Sequence, residues 1–249
     1  MICTTAWAAA EFERIGAGNV ARAPLGVDLD TFAAPGGTVR AAFAGHQGAD
    51  PTLLVHCGRL SPEKKPQRSL NTLATLRANG LSVRLVMTGD GPLRRRLERR
   101  AARDALPVTF AGFVPDRAGL AALLASADVA IAPGPAETFG LAALEALACG
   151  TPVVVSAESA LPEVVGDAGA SVAGEDLAAG VISVLARPEQ PRRAAARARA
   201  ERYGWPAAVQ AFLSVHQALV AGEDVVYVSS GAGMDGRRSA RDGFARRRA

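Results

Sequence analysis

From residue 52 onward, short apolar runs alternate with helix-length amphipathic stretches. The runs Thr52 to Cys57, Val83 to Thr88, Val108 to Phe110, Val129 to Ala132 and Val153 to Ser156 read as strands. Between them, Pro66 to Asn79, Pro92 to Arg103, Asp116 to Ala125 and Gly140 to Cys149 carry helical spacing. The strand runs are β-branched and apolar on both faces, as a parallel sheet covered by helices requires. Repeated strand–helix–strand units predict an α/β fold with a doubly wound, Rossmann-like parallel sheet.

The alternation weakens after residue 156, where Leu177 to Ala186, Pro191 to Tyr203 and Trp205 to Val220 read as helices broken at Pro188 and Gly204. From Gly222 the chain is rich in Gly, Ser and Arg, which predicts a segment without fixed structure. The first fifty residues differ again. Ile2 to Thr5 reads as a buried strand leading into a helix over Trp7 to Ile15, and Val20 to Ala23 as a second short strand. No partner for the first strand is evident within this segment. The expected organisation is therefore a remnant of a preceding domain plus connector (1–50), a main domain (51–221) and a disordered arginine-rich tail (222–249).

Composition narrows the function. The 249 residues carry a net charge of +4, yet arginines concentrate at 94–103, 192–202 and 237–248. The first two clusters fall on predicted helices and read as solvated faces. Aromatics interleaved with the basic residues, which nucleic-acid binding would want, are missing, so that partner is discounted. Cys3, Cys57 and Cys149 show neither disulfide nor metal spacing, which favours a reducing, cytoplasmic setting. No apolar run reaches membrane-spanning length. His56 sits in a strand and reads as a core residue rather than a ligand.

The chemistry concentrates in loops after strands, where open α/β sheets hold ligands. The segment from Glu137 through Thr138, Phe139, Gly140 and Leu141 to Glu145 sets two carboxylates around a helix start with no capping side chain. Bare helix-start amides bind anions, phosphate above all, and neighbouring carboxylates suit sugar hydroxyls. Opposite it, Arg59 and Lys64 follow the first strand of the main domain, where two cations can neutralise a diphosphate. Lys64 and Lys65 are the only lysines, against 26 arginines. The loop Gly89 to Pro92 permits close backbone approach but is a weak signal alone. In Gly112 to Asp116, Val114 can face a nucleobase, while Asp116 reads first as a helix N-cap.

With Gly58-Arg59, Glu63-Lys64, Gly89-Asp90-Gly91-Pro92 and the Glu137–Glu145 segment taken together, the chain resembles the C-terminal half of the GT-B glycosyltransferases of family 4. The runs Val55 to Ser61 and Ala132 to Pro135 are similar to the actinobacterial GDP-mannose-dependent phosphatidylinositol mannoside α-mannosyltransferases. The resemblance spans residues 1 to 220 and implies the following. Arg59 and Lys64 bind the donor diphosphate and steady departing GDP. Glu137 holds sugar hydroxyls, together with Thr138 and the amides of Phe139, Gly140 and Leu141. Glu145 holds the ribose, and Val114 faces the base. Mannose would pass from GDP-mannose, with retention, to a membrane glycolipid, with no tightly bound cofactor and Mg2+ an open option. The protein would be cytoplasmic and peripheral at the inner face of the plasma membrane. The resemblance also implies an N-terminal acceptor domain that this sequence lacks, so the chain alone is expected to bind nucleotide weakly and transfer no sugar. A non-catalytic nucleotide-sugar-binding remnant and a GT-B sugar-nucleotide epimerase are the alternatives.

Overall fold

The computed structural model describes residues 1–33 and 51–222. The expected arginine-rich tail after Gly222, and residues 34–50 of the expected connector, lie outside the described residues.

The main sheet has six parallel strands, β3 (Thr52–Cys57), β4 (Val83–Thr88), β5 (Val108–Gly112), β6 (Val129–Ala132), β7 (Val153–Ser156) and β8 (Ala170–Val172). Their spatial order is β5-β4-β3-β6-β7-β8. The chain starts in the middle, winds outward to β5, and returns to β6 beside β3. That reversal is the topological switch point, where ligands enter α/β sheets. Helices cover both faces: α2 (Gln67–Ala78), α3 (Arg94–Arg103), α4 (Arg117–Ser126), α5 (Leu141–Ala148), α6 (Leu161–Val165), α7 (Ala178–Leu185) and α8 (Glu189–Glu201). The long helix α9 (Trp205–Val220) follows.

Alternation along β3 explains the two layers. Leu53 and Val55 pack with Leu124, Leu144, Leu147, Val164 and Ala196, on the face of α4, α5, α6 and α8. Leu54 packs with Leu70, Leu73, Leu76, Leu97 and Val181, on the face of α2, α3 and α7. His56 lies on this second face, fully buried, with Nδ1 3.0 Å from Ser69 Oγ; burial lowers its pKa to about 4. Asp116 caps α4, accepting from the N–H groups of Ala118 and Gly119.

Three expectations need correction. The first strand does have a partner: β1 (Ile2–Cys3) pairs in parallel with β2 (Ala21–Arg22), flanking helix α1 (Ala6–Arg14). The strand β8 and helix α6, too short for any period to show, carry the sheet one strand past residue 156. The arginines of α8 are not a solvated face. Arg192 lies 3.7 Å from Asp128, with both side chains about a tenth exposed. Arg193 donates to the carbonyls of Ala125 and Ala127, and Arg197 to those of Leu29, Phe32 and Ala148. These guanidinium forks satisfy backbone oxygens at helix ends and in the connector, where no amide can reach. The α3 arginines Arg95, Arg96 and Arg99 do remain exposed.

Candidate functional site

The site forms where two loops from opposite halves of the sheet meet. The first leaves β3 through Gly58, Arg59, Leu60 and Ser61 into a 3-10 turn, Pro62–Lys64. Its backbone is tied to the loop after β4: Leu60 N–H donates to the Asp90 carbonyl, and Leu93 N–H to the Leu60 carbonyl. The Ser61 hydroxyl donates to Glu63 at 2.6 Å and holds that carboxyl below its usual range, helped by the nearby Arg59 and Lys64 charges. Lys65 closes the turn with a left-handed backbone, φ 47°, and hands the chain to α2. Arg59 projects exposed from this braced loop, with no hydrogen bond or ion pair among the described residues.

The second loop leaves β6 and enters α5. Gly140 sits at the N-cap with φ 84°, a left-handed value that favours glycine, and no side chain caps the helix. The first-turn amides of α5 are therefore open to an anion, as the sequence predicts. Two backbone carbonyls of the loop are turned away: that of Glu137 accepts from Ala160 N–H, and that of Thr138 from the hydroxyls of Thr4 and Thr5. Phe139 is buried, edge-on to Tyr203 with ring centroids 5.9 Å apart, and anchors the loop to the core. Leu141 is largely exposed at the helix start.

The loops join through Lys64 Nζ and Glu137 Oε2, 2.6 Å apart, with side chains 28% and 25% exposed. Gly134 lets the second loop lie against the Lys64 backbone, since a Cβ there would come within 3.1 Å of the Lys64 Cα. Glu145 lies deeper and half-buried. Burial raises its carboxyl pKa, with Arg117 opposing. Its charge also reaches Cys57 at the end of β3 and Cys149, whose thiol burial pushes up to about 12. Val114 is half-buried beside Phe113, whose ring is 76% exposed. An aromatic face so open offers a stacking surface for a flat base; it was visible in the sequence but had no role there. A groove of about 650 Å³, lined by Arg96, Arg99 and Arg103 of α3, also borders Pro62 and Lys65 on either side of Lys64.

The structure thus brings together Lys64, Glu137 and the α5 start, with Glu145 on the same helix. It leaves Arg59 and Val114 on adjoining loops without a direct bond to that cluster. The sequence reading missed the residues that brace the second loop: Thr4, Thr5 and Glu163. Glu163 accepts from the N–H groups of Ala6 and Trp7 and from Arg22, all far away in sequence. Only its place in the first turn of α6, after Pro162, could have hinted at it. No group of three or more metal-binding side chains occurs among the described residues.

The sequence model for glycosyl transferases group 1 matches residues 41–201. The chain belongs to this family. Among the relatives of this group 1 glycosyl transferase is the GDP-mannose-dependent alpha-(1-6)-phosphatidylinositol dimannoside mannosyltransferase of Mycobacterium tuberculosis (strain ATCC 25177 / H37Ra). The two are 52% identical over 224 residues, covering 88% of this chain and 58% of that protein. The D-inositol 3-phosphate glycosyltransferase of Saccharomonospora viridis is 35% identical over 216 residues, covering 79% of this chain and 49% of its own. The group 1 glycosyl transferase therefore spans about half the length of these relatives. Among solved structures, sucrose-phosphate synthase from Thermosynechococcus elongatus superimposes with a TM-score of 0.77 at 28% identity, over 89% of this chain and 58% of that one. An Anabaena protein in complex with UDP and glucose matches at 0.72 and 20% identity, over 88% and 62%, which shows the fold alone. The GT-B character and the parallel sheet expected from the sequence are thereby established.

The burial of Glu145 makes a pH prediction. A carboxyl whose pKa is raised on folding holds its proton more tightly in the folded chain. Its contribution to stability is then greatest in acid and is lost as pH rises from about 4.5 through the raised value. Glu145→Gln should abolish that slope and gain stability relative to wild type towards neutral pH. Urea unfolding of both proteins from pH 4.5 upward measures it; identical slopes would show that Glu145 is not desolvated.

Proposed function

We propose that this chain is the donor-binding half of a retaining mannosyltransferase that moves mannose from GDP-mannose to a phosphatidylinositol mannoside-type glycolipid. The observation that carries this reading is the Lys64–Glu137 pair, which bridges the two loops beside an uncapped helix start. A cation, open amides and a carboxylate within one loop's reach match the diphosphate and hydroxyls of a nucleotide sugar. The 52% identity to a GDP-mannose-dependent relative supports guanine and mannose among such donors.

In this reading Arg59 and Lys64 neutralise the diphosphate and stabilise GDP as it leaves, an electrostatic role that needs no proton transfer. Thr138, Phe139, Gly140 and Leu141 offer backbone N–H groups to sugar and phosphate, while Glu137 takes sugar hydroxyls. Glu145 accepts from the ribose, and Val114 with Phe113 borders the base. Residues 1–50 act as the edge of an acceptor-side domain and its connector, and residues 51–221 as the donor lobe. No helix among the described residues is long and apolar enough to cross a membrane. In this reading a peripheral protein surface meets the lipid acceptor.

Calorimetric titration of the purified chain with GDP-mannose, GDP and UDP-glucose tests the reading. Binding of both guanine ligands, with UDP-glucose at least tenfold weaker, is the expected result. Equal affinity for the uridine donor would defeat the donor assignment. Sugar transfer to glycolipid by this chain alone would defeat its assignment as only half of the site.

A further inference from the structure

The N-terminal segment touches the donor loop at one backbone atom. The Thr138 carbonyl accepts from Thr4 Oγ1 at 3.3 Å and from Thr5 Oγ1 at 3.0 Å, across more than 130 residues of sequence. Thr5 is buried, and its hydroxyl is used twice: it donates to Thr138 and accepts from Ala8 N–H as the cap of α1. Next to it, both carboxylate oxygens of Glu163 are committed to the same segment. One accepts from Ala6 N–H at 2.7 Å and the other from Arg22 at 3.0 Å. Arg199 in turn donates to the Glu163 and Val164 carbonyls, so α6 cannot drift from α8.

The direction of the Thr138 carbonyl matters because no peptide in the described chain is cis. In a planar trans peptide the C=O and the following N–H point in opposite directions. Holding the Thr138 carbonyl on the two hydroxyls therefore aims the Phe139 N–H the other way. The Ala160 N–H holds the Glu137 carbonyl at 3.0 Å and aims the Thr138 N–H likewise. Neither N–H has a partner among the described residues. Both are free for a ligand.

We propose that the Thr4–Thr5 hydroxyls, braced by Glu163, are positioning groups that set the sugar end of the donor site. They make the N-terminal segment a determinant of nucleotide-sugar recognition over bare nucleotide. In this arrangement the Thr138 and Phe139 N–H groups serve the sugar and those of Gly140 and Leu141 the phosphate, so the nucleotide contacts at Lys64, Arg59 and Val114 do not need this brace. The assignment rests on the donor reading above.

The test compares wild type, the double variant Thr4→Val/Thr5→Val, and Thr5→Ser, which keeps the hydroxyl. The double variant should lose about tenfold in GDP-mannose affinity, the scale of one or two neutral hydrogen bonds. GDP affinity should stay within about twofold, and Thr5→Ser should restore the donor. Hydrogen exchange at Ala160, whose N–H is held by the Glu137 carbonyl of the same loop, read without ligand, should speed up in the double variant and stay normal in Thr5→Ser. Equal loss of GDP and GDP-mannose, or no loss of either, overturns the proposal. If wild type binds neither ligand, the donor reading falls by itself. The exchange experiment then decides the brace, and unchanged exchange in the double variant overturns it.

Discussion

Replacing Lys64 by alanine is expected to weaken GDP binding about a hundredfold. Two effects add. The variant loses a charge-assisted contact to phosphate, worth about 1.5–3 kcal/mol, and tenfold in affinity is about 1.4 kcal/mol. It also leaves Glu137, now held at 2.6 Å by the ammonium, unpaired beside an incoming diphosphate. Glu137→Gln should behave in the opposite way. It removes the charged competitor for Lys64, so GDP affinity should hold or rise, while the sugar hydroxyls of GDP-mannose exchange a carboxylate acceptor for a weaker neutral amide oxygen. Lys64→Arg should rescue poorly, because a planar fork does not reproduce a compact ammonium held 2.6 Å from Glu137. Calorimetry with both ligands reads all three variants. Unchanged GDP affinity in Lys64→Ala would remove the diphosphate from this cation.

Gly89→Ala is expected to cost about 3–4 kcal/mol of stability and lower Tm by about 8–15 °C for a chain of this size. Gly89 follows β4 with φ 102°, and an added Cβ would sit 2.1 Å from the Gly58 carbonyl oxygen. That oxygen belongs to backbone braced on both sides and cannot swing away. Gly80 supplies the control. It has φ 83° but nothing within 4 Å of its Cβ direction, so Gly80→Ala reports conformational strain without the collision. That strain alone should cost about 1–2 kcal/mol. Scanning calorimetry of the two variants separates the terms. Similar Tm losses would mean the two loops can part at little cost. The glycines of this loop let one backbone rest on another.

Much of this was legible from residue types alone. The strands from Thr52 to Ser156 are apolar on both faces and bounded by Gly and Pro, so their period and length left little choice. The donor-loop carboxylates stood out because Phe139-Gly140 could not cap a helix. That Lys64 and Glu137 pair directly was not legible, since 73 residues separate them and each sits in a loop of its own. The arginines of α8 misled for a physical reason. A guanidinium on a long stem reads as a surface charge whether it ends in water or on a carbonyl, and only the fold supplies Ala125, Leu29 and Ala148. The Thr5–Thr138 contact was invisible for the same reason. Short threonines carry no periodic or charge signal, and their target is a backbone atom that every residue has.

The switch point has a consequence for how the molecule breathes. β3 pairs with β4 along its whole length, from Thr52 opposite Val83 to Cys57 opposite Thr88. With β6 it pairs only at Leu54–Val129 and Val55–Ala130, supplemented by the backbone link between Asp128 N–H and the Leu53 carbonyl. The sheet thus has two three-stranded halves, β3-β4-β5 and β6-β7-β8, joined by a pairing shorter than that of β3 with β4 and reinforced by Leu53 N–H donating to the Asp128 carboxylate. A ligand held by Lys64 from one half and the α5 start from the other would act as a staple across that pairing. Its affinity would then appear as slowed amide exchange in β6, far below the surface it touches.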